Sequence, residues 1–156
     1  MRLHRIDYLW ISAQALLFIV YLLPVDLGIK APNFPQWPTL MIMLLGAAEC
    51  LWALIQLGKF LSPFPKPKEN APLITGGIFG LVRHPIYSGI FLFAAAWAFY
   101  SANLYRLLIA LAILLFFYNK SRYEEQNLKA YFSDYAAYAE RVGRFFPKLK
   151  SFGTKP

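Results

Sequence analysis

The chain has 156 residues, 58% of them hydrophobic and 15% charged, with a formal net charge of +8. An ordinary soluble domain carries about 45–50% apolar and about 25% charged residues, so this composition cannot furnish a polar exterior, and lipid is the expected solvent for much of the surface. The basic excess argues against a nucleic-acid partner, because the basic residues flank apolar runs, where they meet anionic headgroups instead of forming a patch on a polar face.

The chain opens Met1-Arg2-Leu3-His4-Arg5, then runs apolar from Tyr8 to Leu23. This start imitates a signal peptide, but Pro24-Val25-Asp26 stands where a small-x-small cleavage site would be, so the run reads as an uncleaved first span over about residues 6–23. Pro24 ends it. A proline-rich loop carrying Lys30 leads to a second span, 37–58, anchored at the interface by Trp37. Glu49 lies in the middle of that span. An ionisable group at this depth is costly and by default marks function; Glu49 faces a polar cavity, or is protonated and hydrogen-bonded. Cys50 beside it reads as a small buried hydrophobe, and a single cysteine excludes an internal disulfide and a cysteine-based metal site. No metal is expected.

Residues 59–84 form a long polar loop. Pro63, Pro65 and Pro67 forbid a regular helix, and Gly76, Gly77 and Gly80 permit tight turns. From Pro85 to Asn119 the only charge is Arg106. A single helix over that stretch would be roughly 52 Å long, against a hydrocarbon core of ~30 Å. A hairpin turning near Ser101-Ala102-Asn103 fits better, with spans at 85–101 and 104–119. The tail, 120–156, is polar. Its Leu128, Tyr131, Phe132, Tyr135, Tyr138 and Val142 recur at helical spacing, which predicts an amphipathic helix lying at the interface or packing on the protein's own helices.

The expected architecture is therefore all-α: a polytopic membrane protein of about four transmembrane helices plus a cytoplasmic amphipathic C-terminal helix, forming one domain. With both termini cytosolic, fourteen of the sixteen basic residues fall on the cytosolic side, all but Lys30 and Arg106. That arrangement also brings the polar loop and the tail to the same face.

Two constellations could carry chemistry there. Arg83-His84-Pro85-Ile86-Tyr87 sits where the loop enters a span. Pro85 suits a first helical turn, the free N–H groups after it can hold an anion, His84 can donate and accept near neutral pH, and Tyr87 offers a ring face to a cation. The same residues would also serve as a basic, aromatic interface anchor. Lys120 and Glu124 are four apart and share a helix face, either in a site or as an ordinary solvated pair.

In order along the chain, Leu73-Ile74-Thr75-Gly76-Gly77-Ile78-Phe79, Arg83-His84-Pro85-Ile86-Tyr87, Glu124-Glu125, Leu128, Tyr135, Tyr138 and Val142-Gly143-Arg144-Phe145-Phe146-Pro147 resemble one family. The pattern looks like that of the isoprenylcysteine carboxyl methyltransferases and their relatives, the membrane phospholipid methyltransferases, over roughly residues 40 to 147. The resemblance implies an S-adenosylmethionine-dependent methyltransferase acting on a lipid-like or other hydrophobic acceptor: a prenylcysteine carboxylate, a phospholipid amine or a small thiol. By similarity, Leu73, Ile74, Phe79, His84, Pro85, Ile86, Tyr87 and Glu124 contact the cofactor, and Lys120, one turn before the glutamate, binds the acceptor. Glu124, Lys120 and Arg83 are the expected catalytic set, with Glu49 a further candidate on the substrate side. Phe79 stands where the family has tyrosine, which removes a hydroxyl contact. Lys120 stands where the isoprenylcysteine enzymes have arginine, and lysine cannot grip a carboxylate with two parallel hydrogen bonds. The competing readings are a four-span proton-coupled transporter using Glu49 and a non-catalytic family member.

Overall fold

The computed structural model describes residues 4–32 and 34–148. Arg2, Lys150 and Lys155 of the basic set lie outside the described residues. Within them the chain is helical: α1 (Arg5–Leu22), α2 (Gln36–Leu57), α3 (Pro85–Tyr100), α4 (Leu104–Tyr131) and α5 (Tyr135–Arg141), with short 3-10 turns at Gly58–Phe60 and Gly77–Gly80.

Three helical segments, Arg5–Leu22, Gln36–Phe60 and Leu104–Tyr131, are long and apolar enough to cross a membrane. Helix α3 is as apolar but has 16 residues, about 24 Å of rise against the ~30 Å core. Pro85 opens it at the first helical position, where the missing N–H costs nothing. The turn to α4 falls where expected: Asn103 caps α4 by accepting from the Arg106 backbone N–H (2.9 Å), which satisfies one otherwise orphaned donor.

Helices α2 and α3 pack most closely. A Cβ built on Gly89 would lie 2.6 Å from the Gly46 carbonyl oxygen and 2.7 Å from Cys50 Sγ, so small residues allow the backbones to approach, as expected where lipid supplies no hydrophobic drive between helices. The Cys50 thiol is half-buried and donates to the Ile86 carbonyl at 3.4 Å. Tyr21, Ala94, Ala110, Ile113 and Phe117 form the core joining α1, α3 and α4. Tyr21 Oη donates to the Ala94 carbonyl (2.7 Å) and Tyr105 Oη to the Val20 carbonyl (2.5 Å).

The tail differs from expectation in its first half. No separate helix starts at Lys120; α4 runs unbroken for 28 residues, about 42 Å, so its end projects roughly 12 Å beyond a ~30 Å core. The apolar face of the last span and the polar face of the tail share one helix because nothing between Asn119 and Tyr131 breaks it. After a short break the chain forms α5. The aromatic stripe then packs on the protein: Tyr135, Tyr138 and Val142 are buried against Leu73, Leu128 and Phe132, while Tyr131 remains exposed.

Candidate functional site

The polar loop, the start of α3 and the projecting half of α4 meet at one end of the bundle. Buried Asp7, in the first turn of α1, ties them together. It accepts from the His4 backbone N–H (2.7 Å), pairs with Lys66 of the loop (3.1 Å) and accepts from Tyr123 Oη of α4 (3.2 Å). Gln56, near the end of α2, pins the glycine turn by donating to the Gly76 carbonyl (2.8 Å) and accepting from the Ile78 N–H (3.3 Å).

Between these elements is a cavity of about 390 Å³, within the range of small-molecule sites. Its wall contains Leu73, Ile74, Phe79, Arg83, His84, Pro85, Ile86, Tyr87, Lys120 and Glu124. Every residue expected at the site except Glu49 is thus brought to one wall. Glu49 is not part of that wall: its Oε1 accepts from Ser88 Oγ at 2.5 Å across the α2–α3 interface.

The two adjacent glutamates do different work. Glu125 is the hub of a clamp. Arg83 Nε and Nη2 donate to its Oε1 at 3.1 and 2.8 Å, and Arg144 Nε and Nη2 donate to its Oε1 and Oε2 at 3.0 and 2.7 Å. His84 Nε2 lies 3.2 Å from the same Oε1. Arg83 Nη1 also donates to the carbonyls of Ala139 (2.8 Å) and Val142. Four of the five guanidinium donors of Arg83 are therefore committed to the scaffold. The clamp holds a strap: the Arg83 and His84 N–H groups donate to the Gly143 and Arg144 carbonyls (2.8 and 3.0 Å), and Tyr138 Oη donates to the Phe79 carbonyl (2.6 Å). Burial pushes the Tyr138 phenol up to about 12 against the opposing charge of Arg83, so it keeps the proton it donates.

Glu124 faces the cavity. Tyr87 Oη donates to its Oε1, and its Oε2 lies 3.5 Å from His84 Nδ1. Burial pulls the His84 imidazole down, but hydrogen bonds to Glu124 and Glu125 and their charges outweigh it and raise the group above its ordinary value. With a carboxylate at each ring nitrogen, the imidazolium, a donor at both positions, is the form that satisfies both. The His84 and Tyr87 rings stack at 5.6 Å, and Tyr87 stacks in turn on Phe117 at 4.3 Å. Lys120, 1% exposed, donates to Gln14 Oε1 (2.6 Å) and the Pro63 carbonyl (3.2 Å), lies 5.3 Å from the Tyr87 ring centroid, and reaches Glu124 Oε1 only at 4.0 Å. The Tyr135 hydroxyl, in a residue 1% exposed and part of the wall, has no hydrogen-bond partner among the described residues.

Sequence reasoning missed Asp7, Lys66, Gln14 and Gln56, and gave no role to Arg144. Gln14 and Gln56 left a signal, each as an amide inside an apolar run. Among the described residues no group of three or more His, Cys, Asp or Glu side chains could hold a metal ion.

Fold and site together define a polytopic, all-helical membrane protein with a cavity at the end of its spans, roofed by its own loop and strap. The chain belongs to the phospholipid methyltransferase family, whose pattern residues 36–135 match. It is similar to the protein-S-isoprenylcysteine O-methyltransferase of Schizosaccharomyces pombe, 33% identical over 101 residues, covering 62% of this chain and 43% of that protein. It is also similar to protein-S-isoprenylcysteine O-methyltransferase B of Arabidopsis thaliana, 30% identical over 107 residues, covering 66% of this chain and 54% of that protein. The chain thus spans about half the length of the curated relatives it matches.

Proposed function

We propose that this protein transfers a methyl group from S-adenosylmethionine to a hydrophobic or lipid-like acceptor at the cytoplasmic face of a membrane, with both termini on that side. The observation that carries the reading is the convergence of the loop residues, the His84–Tyr87 turn and Glu124 on one cavity at the membrane end of the spans. A polar cofactor arriving from water and an apolar acceptor arriving from the bilayer can meet only at such a boundary.

The wall suits the cofactor. The Glu124 carboxylate can accept from the cofactor's hydrogen-bond donors; its apolar surface matches Leu73, Ile74, Phe79 and Ile86; the unpartnered Tyr135 hydroxyl offers a polar contact. When bound, the cofactor supplies an electrophilic methyl group on sulfur, transferred with its S–C bond breaking as the bond to the acceptor forms. The protein contributes alignment and exclusion of water, both of which strengthen such a displacement. His84 and Tyr87 fix the Glu124 carboxylate from two sides, Phe117 buttresses Tyr87, and the strap holds His84 by its backbone. Lys120 stands beside Glu124 on the acceptor side.

Equilibrium binding of labelled S-adenosylmethionine to the purified protein in nanodiscs tests this. Glu124→Gln should weaken binding by about tenfold or more, the value of a hydrogen-bonded charge. A wild-type protein with no measurable binding refutes the proposal.

A further inference from the structure

Lysine carries three N–H donors and no acceptor. The Gln14 atom 2.6 Å from Lys120 Nζ must therefore be the amide oxygen, which fixes the orientation of an amide that could otherwise be flipped. The amide nitrogen then points its two N–H groups elsewhere, and they make no hydrogen bond among the described residues, although Gln14 lines the cavity. Lys120 itself is buried, held by two neutral oxygens, with its nearest carboxylate stretched to 4.0 Å. That carboxylate, Glu124, is already engaged by Tyr87 and His84.

A buried cation held mainly by neutral oxygens favours an anion beside it and disfavours a second cation. The surroundings also say from which side the anion comes. Gln14 belongs to α1, which lies outside the segment matching the family. One helical turn along α1, Phe18 lines a second cavity of about 300 Å³, walled by Cys50, Ile90, Phe93 and Trp97 among others and almost wholly apolar. The Gln14 amide is thus hydrogen-bonded to the Lys120 ammonium, one turn of α1 from a residue of an apolar crevice.

We propose that Gln14 is a specificity-determining residue for the methyl acceptor: its amide N–H groups, beside the Lys120 expected to bind the acceptor, hold an anionic oxygen of a carboxylate. This deepens the methyltransferase reading and rests on it. The Gln14 oxygen orients the ammonium, and the Gln14 N–H groups and the remaining Lys120 N–H converge on the acceptor. An amine-headed acceptor without an anionic group beside the amine gains nothing there.

The test uses the full chain in nanodiscs, labelled S-adenosylmethionine, and two probes: an N-acetylated S-isoprenylcysteine, which carries a carboxylate, and the same compound with its carboxylate converted to an amine. Wild type should label the carboxylate probe. Gln14→Leu should raise KM for that probe by about tenfold, as expected for a lost bond to a charged group, with the dissociation constant of the cofactor unchanged. Gln14→Glu should abolish the labelling, because it neutralises Lys120 and removes the amide donors, whereas Gln14→His, which keeps a donor, should restore part of the affinity. An unchanged KM in Gln14→Leu overturns the inference. A cofactor dissociation constant that rises in step with KM overturns it too, since the pair would then hold the carboxylate of the cofactor. Wild type that binds cofactor but does not label the carboxylate probe overturns the inference and leaves the methyltransferase reading standing. Wild type that binds no cofactor removes both.

Discussion

Replacing Glu125 by glutamine should release the C-terminal strap while leaving the helical bundle intact. The side chain of Arg83 is 8% exposed and that of Glu125 7%, so removing the charge leaves a buried guanidinium with only carbonyl partners. Breaking a buried pair by deleting one member costs about 3–5 kcal/mol. Glutamine retains one oxygen, and Arg144, 23% exposed, can turn to water, so the low end applies, near 3 kcal/mol. At ~1.4 kcal/mol per factor of ten this is roughly 150-fold in the opening equilibrium. The His84 N–H, bonded to the Arg144 carbonyl, reports that opening directly. Its hydrogen-exchange protection in nanodiscs should fall about 150-fold, while amides within α2 keep theirs. Arg144→Gln should lower the same protection only about tenfold, because Arg83 and His84 still hold the carboxylate. A loss below about tenfold in Glu125→Gln would refute the view that this carboxylate is the hub.

The raised His84 pKa gives the strap a pH dependence: the ion-paired imidazolium contributes fully below the unfolded value near ~6.5 and is lost as pH rises through the higher folded value. His84 N–H protection should therefore decline as pH rises through that folded value, and His84→Gln should flatten the profile. A Cβ on Gly143 would lie 1.8 Å from the Phe146 carbonyl oxygen, so Gly143→Ala should open the strap as Glu125→Gln does, read by the same exchange measurement. Gly89→Ala pushes against the Gly46 backbone and should destabilise the α2–α3 pair by about 1–3 kcal/mol, the usual cost of overpacking, seen as a lowered thermal midpoint in detergent. Tyr138→Phe removes the bond to the Phe79 carbonyl and should cost about 1 kcal/mol in the same assay.

The apolar helices could be read from the sequence because apolar runs and prolines mark their ends locally. The turn at residues 101–103 follows from span length alone. The cavity wall was readable through the family pattern, and only partly through chemistry, since His84, Glu124 and Lys120 belong to types that also decorate ordinary helix ends. What could not be read is which glutamate serves which purpose. Glu124 and Glu125 are neighbours in the chain, but one turns to the cavity and the other to Arg83 and Arg144, and only the packed helix decides between them. Asp7 carries no local sign of its role, because its partners, Lys66 and Tyr123, lie far along the chain. Gln14 is the same case: its partner Lys120 is 106 positions away.

Helix α4 carries the Glu124 carboxylate on the same uninterrupted rod as Leu108, Leu111 and Leu115, whose side chains are exposed on the lipid-facing stretch. No hinge separates the two halves. In a thicker bilayer a rod of fixed length must stand more upright or thin the lipid around it, and where it does neither fully the carboxylate is carried toward drier surroundings. The depth of the Glu124 carboxylate is therefore set by the host membrane as much as by the polypeptide, and a depth-sensitive probe beside it should report a different position in lipids of different acyl length.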